Sequence, residues 1–218
     1  MNHRGIAGCG CLIFVLIIVM ILTGALMHPI TLRIIGNQFH YEDRIFTSDA
    51  ILVPRFPEDR NGELYMESFR DYSAGNGRFI LVEDDIILGT SIVELVNKMA
   101  KIRNVKDEGI RKIVTSGEGL MKTQRIKEQI ERQGLRKVII IVPGYASRRF
   151  HLMYNSSRAD ASTVYLIRPV EVTFFKRDKW WKDSDSRSVL ANEIFAISSY
   201  YLQRFKYGEK ETKDKKKR

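Results

Sequence analysis

Four short segments collect most of the residues in this chain that are equipped for acid–base or anion chemistry. Glu83-Asp84-Asp85 sets three carboxylates in a row, and Ser116-Gly117-Glu118-Gly119 is a small loop with one acid. Pro143-Gly144-Tyr145-Ala146-Ser147-Arg148-Arg149 carries a phenol and two guanidinium groups, and Arg60 closes the run Pro54-Arg55-Phe56-Pro57-Glu58-Asp59-Arg60. Clustered carboxylates can exchange protons or hold a divalent cation. Guanidinium groups near a helix N-terminus can hold phosphate or carboxylate, because they pair bidentately and free backbone N–H groups add donors. In an enzyme built from these parts, Arg60, Arg148 and Arg149 would contact an anion, with Glu118 beside them. Tyr145 would orient the ligand, and Glu83 or Asp84 would be the acid–base or metal group. The plainer reading has Glu83-Asp84-Asp85 as a solvated loop or helix cap, with Arg148 and Arg149 neutralising it.

Such residues act together only if the elements around them bring them to one place. Short, β-branched, nearly continuous apolar runs occur at Ala50–Val53, Phe79–Val82, Ile110–Val114, Val138–Val142 and Thr163–Ile167. Runs of this kind suit parallel strands covered on both faces. Between them the apolar residues recur at helical spacing over Asp59–Tyr72, Thr90–Arg103 and Leu120–Gln133. A fourth helix is expected around Phe150–Tyr154 and a last one over Ser186–Phe205. Strand–helix alternation at this spacing predicts an α/β domain with a mainly parallel sheet. All four chemistry-bearing segments then follow strands, at the carboxyl edge where open α/β sheets bind ligands. An enzyme requires Arg60, Asp84, Glu118, Tyr145 and Arg148 to converge there; a cleft filled by Phe56 or Pro57 would favour an inactive copy. Trp180 and Trp181 are expected to cover apolar surface.

No G-x-G-x-x-G, G-x-x-x-x-G-K-[ST] or G-x-S-x-G is present, and the four histidines at 3, 28, 40 and 151 lack zinc spacing. No motif therefore names a cofactor or a resident metal. The 218 residues are 44 % hydrophobic and 28 % charged, as in ordinary globular proteins. Six basic residues against three acidic ones between Glu209 and Arg218 contribute to a net charge of +10. Without a nucleic-acid motif, this tail suits a solvated end or anionic lipid, and nucleic acid is not an expected partner. From Gly5 to Leu32 there is no Asp, Glu, Lys or Arg, and about 20 apolar residues cross a bilayer as a helix. The apolar run exceeds that of a signal peptide and lacks an A-x-A-like site, so a retained anchor in contact with membrane lipid is expected. Arg4 and the α-amino group against Arg33 and Arg44 lean towards a cytoplasmic N-terminus and an external domain. Cys9 and Cys11 lie within this segment and leave the rest of the chain free of cysteine. The resulting organisation is a flank over 1–8, a span over 9–28, a connector over 29–48, the domain over 49–206 and a basic tail over 207–218.

The order of motifs along the domain resembles the YdcF-like family, which includes envelope proteins of the SanA and ElyC types. The resemblance rests on Leu32-Arg33-Ile34-Ile35-Gly36, Asp49-Ala50-Ile51-Leu52-Val53, Arg60 with Glu63-Leu64-Tyr65, and Ile80-Leu81-Val82. It continues through Val142-Pro143-Gly144-Tyr145-Ala146-Ser147-Arg148-Arg149, then Trp180-Trp181 and a helix with Glu193. It implies a Rossmann-like three-layer sandwich, a single-pass protein of the inner membrane, and a role in bacterial envelope barrier function, peptidoglycan or lipid-carrier metabolism. The sequence departs from the pattern where chemistry would reside. Pro54-Arg55-Phe56-Pro57 replaces a glycine-rich turn, and Asp84-Asp85 stands where Gly-Gly is common. Ala146 takes the place of a histidine, and Ile126 that of a glutamate. Two aspartates in place of glycines remove close backbone approach and add negative charge, and the lost imidazole removes an acid–base group suited to neutral pH. The expected function is a degenerate, non-catalytic site with a binding or assembly role. The alternative is an enzyme acting on a phosphorylated, nucleotide-like or lipid-carrier substrate.

Overall fold

The computed structural model describes residues 4–87, 89–115, 117, 119–155 and 162–215. Five strands form one parallel sheet: β1 (Ala50–Val53), β2 (Ile80–Asp84), β5 (Ile110–Val114), β6 (Lys137–Pro143) and β7 (Val164–Val170), in the order β5-β2-β1-β6-β7. The residue-pair register is unbroken from Ile51 beside Ile80 on one side of β1 to Ile51 beside Ile139 on the other. β1 and the core of β6 are wholly buried, which is why their sequences are continuous apolar runs rather than alternations. β3 (Ile86–Ile87) and β4 (Thr90–Ser91) make a small antiparallel hairpin outside the main sheet.

The crossovers are α3 (Glu63–Ser73), α4 (Ile92–Ile102), α5 (Gly119–Arg132) and α6 (Ser147–Asn155). Helices cover both sides of the sheet. Right-handed connections assign α3 and α4, which step outward from β1, to one face, and α5 and α6, which return through β6 and β7, to the other. α3 and α4 start where the sequence supplies a partner for their free N–H groups. Asp59 accepts from the amides of Glu63 and Leu64 at 2.7 and 3.0 Å. Those bonds start α3 four residues after Asp59, where periodicity alone predicts a start at Asp59 itself. Thr90 and Ser91 likewise belong to the hairpin, and Ser91 caps α4 through the amide of Val93.

The N-terminal part consists of α1 (Arg4–Leu26) and α2 (Pro29–Asn37). His28 caps α2 and Pro29 occupies its first turn, so the two helices meet at a break. Side chains in α1 are described from Phe14 onward. Among the described residues no single helix is long and apolar enough to cross a membrane; Phe14–Leu26 with Pro29–Asn37, bent by 58°, passes by length and composition. α2 is docked on the domain by Trp180, whose indole N–H donates to the Leu32 carbonyl at 2.8 Å. Residues 39–43 follow, tied to α6 and β7 by the Arg148 amide to Phe39 (3.1 Å), the Tyr41 amide to Ser147 (2.7 Å) and the Ile167 amide to Asp43 (2.8 Å). The last helix, α7 (Ser184–Lys215), follows a 3₁₀ segment, Arg177–Lys182.

Candidate functional site

β1 and β6 adjoin in the sheet, yet their outgoing connections run to opposite sides. Loops diverge at such a point and leave a crevice beyond the carboxyl ends of the strands. A cavity of about 270 Å³ occupies that crevice. The loop after β1 walls it with Arg55, Phe56, Pro57 and Glu58, β2 contributes Glu83, and the turn after β6 contributes Tyr145. Lys122 and Ile126 face it from α5, Arg149, Phe150 and Tyr154 from α6, and Val189, Asn192 and Glu193 from α7.

The cations of this cavity are each joined to a carboxylate, while Glu58 adds a further acid to its wall. Glu83, only 4 % exposed, accepts from the Arg55 amide at 3.1 Å and the Thr115 hydroxyl at 3.0 Å, and forms an ion pair with Lys122. Glu193, 3 % exposed, receives Arg149 through Nε at 2.8 Å and Nη2 at 3.0 Å. Burial raises the Glu193 carboxyl pKa while the Arg149 guanidinium opposes the shift. Arg55 is in turn ion-paired with Asp85. Thus each of the three cations that line the cavity already has a carboxylate partner.

The apolar wall is aromatic. Phe56 meets Tyr145 edge-on at 6.4 Å between ring centroids and Phe150 at 5.5 Å, and Phe150 stacks on Tyr154 at 6.0 Å. Tyr145 is 4 % exposed and its hydroxyl is buried without a hydrogen-bond partner. Burial, followed by the charges of Glu58 and Glu193, raises its pKa, so the phenol stays protonated.

Of the residues singled out from the sequence, Glu83, Tyr145 and Arg149 line this cavity. Asp84 is used elsewhere, accepting from the Ser91 hydroxyl at 2.6 Å and the Val93 amide at 3.3 Å, where it helps begin α4. Arg60 and Arg148 are exposed and do not line the cavity. Glu118, with Ser116, lies outside the described residues. Of the five residues whose convergence an enzyme requires, Arg60, Asp84 and Arg148 do not line the cavity, Glu118 lies outside the described residues, and Tyr145 lines it, with Phe56 and Pro57 in the wall. The acids of the Glu83-Asp84-Asp85 loop are neutralised, but by Lys122, Arg55 and the α4 amides rather than by Arg148 and Arg149. The reason is helical geometry: adjacent residues diverge by about 100°, so Arg149 turns inward to α7 while Arg148 turns out.

Sequence reasoning passed over Lys122 and Arg55 as site residues, while Phe56 was named only as a residue that could fill the cleft. Lys122 carried one usable signal, its place in the first turn of a helix that follows a strand. Glu193 was visible only through the motif order. Among the described residues, no three His, Cys, Asp or Glu side chains group as a metal site. No protein-family model matches the chain, and no curated protein matches it.

Proposed function

We propose that this chain is a membrane-anchored, YdcF-like α/β protein of the bacterial cell envelope whose site binds or assembles rather than catalyses. The observation that carries this reading is the internal pairing of Glu83 with Lys122, Arg149 with Glu193, and Arg55 with Asp85. A phosphorylated ligand would have to displace a buried carboxylate to reach Lys122 or Arg149, and a buried pair broken on one side costs about 3–5 kcal/mol; the partner of Arg55, Asp85, is exposed. The anchor reading is supported by the bent pair of Phe14–Leu26 with Pro29–Asn37, which passes as a span by length and composition where neither helix does alone. The large apolar side chains of α1 from Phe14 to Leu26 are exposed rather than packed on the domain. On this reading α1 lies in the inner membrane with its N-terminus cytoplasmic and the domain external.

One feature favours the alternative, an enzyme on a phosphorylated, nucleotide-like or lipid-carrier substrate. The Tyr145 hydroxyl is buried unpaired in the cavity wall, and such atoms are rare unless a ligand or water completes them. Both readings meet in one experiment. The full-length chain in detergent micelles is melted with inorganic phosphate, nucleotides, phosphosugars, a polyprenyl phosphate and divalent metals. Ligand at a hundred times its dissociation constant adds about 2.7 kcal/mol to stability. The proposed function expects no rise in Tm with these anions or metals. A rise that disappears in Lys122→Met would establish an anion site, and turnover of that anion by the unsubstituted chain would replace this reading with the enzymatic one.

A further inference from the structure

α7 has two faces, and the domain uses one of them. Leu190, Glu193, Tyr200 and Gln203 point inward at helical spacing. Glu193 bonds Arg149, the Tyr200 hydroxyl donates to the Leu152 carbonyl at 3.1 Å, and Gln203 accepts from the Leu120 amide at 3.3 Å. These contacts lie first on α6, just after β6, and then at the start of α5, just after β5. α7 therefore runs across the carboxyl edge of the sheet and roofs the cavity. On its other face Ile194, Phe195, Tyr201, Leu202 and Phe205 are exposed, with Phe195 at 79 %, Leu202 at 66 % and Phe205 at 72 %. A helix with this much uncovered aromatic and aliphatic surface requires an apolar neighbour.

Two observations indicate what that neighbour is. The sequence that continues this helix carries seven Lys or Arg and three Asp or Glu between Lys206 and Arg218. An apolar face followed by a basic segment is the pattern of a helix lying in an anionic bilayer surface. The second is the point where the N-terminal helices join the domain. α2 packs on Trp180 of the 3₁₀ segment that leads directly into α7, and Ile30 and Ile34 of α2 are exposed as well. The route from α1 thus enters at the same edge of the sheet that α7 roofs.

We infer that the outer face of α7 is a docking surface for anionic lipid, so that the carboxyl edge of the sheet faces the bilayer. The inference rests on the reading of α1 as a membrane anchor. α7 then separates the cavity from the lipid by one helix diameter, about 10 Å. Any ligand of the cavity would enter from the membrane side of the domain, around α7, rather than from bulk water.

The test uses the full-length chain with Cys9→Ser and Cys11→Ser, reconstituted in vesicles of phosphatidylglycerol and phosphatidylcholine. A fluorophore is attached at Leu202→Cys, at Phe195→Cys as a second position, and at Glu108→Cys, an exposed site before β5 at the opposite edge of the sheet. Nitroxide-labelled lipid is expected to quench the probes at 202 and 195 several-fold more than the probe at 108. That difference should shrink when phosphatidylglycerol is omitted. Equal quenching at all three positions would overturn the inference, as would efficient cross-linking of two copies through position 202, which would make the face a dimer seam. Flotation of the unsubstituted chain separates the two layers of argument. A chain that does not float with vesicles removes the anchor and the docking face together. A chain that floats but shows no selective quenching removes only the docking face.

Discussion

Glu193 shows how one side chain can occupy a cavity wall and disable it at once. Its charge is buried, and both its oxygens accept from Arg149, through Nε and Nη2, so the carboxylate is not available to a ligand. Removing one partner leaves the other charged and buried. Glu193→Ala is expected to destabilise the protein by about 3–5 kcal/mol in urea unfolding at pH 7, whereas Glu193→Leu with Arg149→Met should recover most of that loss. The pH dependence has a defined sign. Burial raises the folded-state pKa of Glu193 above its ordinary value, so between pH 4.5 and that folded pKa the native state holds a proton the unfolded chain has released, and above it the carboxylate is charged and paired with Arg149. Its contribution is fully present below pH 4.5 and is lost as pH rises through the folded pKa. Stability measured against pH should lose this slope in Glu193→Gln. His151 acts in the opposite sense. It stacks on Tyr41 at 3.7 Å, with Asn155 on its ring nitrogen, and burial lowers its pKa below 6.5 while Asp43 opposes and Arg148 adds to the shift. Its contribution is present above pH 6.5 and is lost as pH falls through the folded pKa, so His151→Asn should flatten the acid side of the stability profile. A profile unchanged by either substitution would refute the corresponding assignment.

At the scale of elements, short polar contacts decide where helices begin and how they dock. Asp59 lies outside α3 and satisfies two of its free amides. Asp59→Ala is expected to cost about 1 kcal/mol in chemical denaturation, the usual worth of an N-cap, and to leave the cavity lining in place. Gly36 governs the seat of α2. A Cβ there would lie 2.9 Å from the Trp180 ring and 3.3 Å from the Arg177 carbonyl, closer than packed atoms tolerate. Gly36→Val should therefore push α2 off Trp180, red-shift tryptophan emission, and expose Phe39 and Tyr41 in the segment 37–43 to chymotrypsin. The domain's own unfolding midpoint should fall by less than the change in docking. Retained emission and protease resistance would mean that α2 is held by something other than this contact.

For the molecule as a whole, the sequence determined the class of fold, because burial writes a period into the residues. β1 spans the residues its apolar run predicts, and β6 differs by one residue at each end, since a strand covered on both faces tolerates little except apolar side chains. β5, at the sheet edge with Arg111 and Lys112 exposed, also matches its predicted bounds. Helix ends were less legible because caps such as Asp59 and Ser91 act through side-chain direction, which periodicity does not encode. Glu83, Tyr145 and Arg149, singled out from strand ends, line the cavity at the carboxyl edge. Pairing was a different matter. Glu83 meets Lys122 across 39 positions and Arg149 meets Glu193 across 44, and neither separation carries a local signal. Only the strand order, with β1 between β2 and β6, brings those segments to one crevice, and only the path of α7 over it supplies Glu193. What the chain can present at its carboxyl edge was legible in its composition; whether those charges face a ligand or each other was decided by tertiary structure, because electrostatic neutralisation depends on distance in space and not on order along the chain.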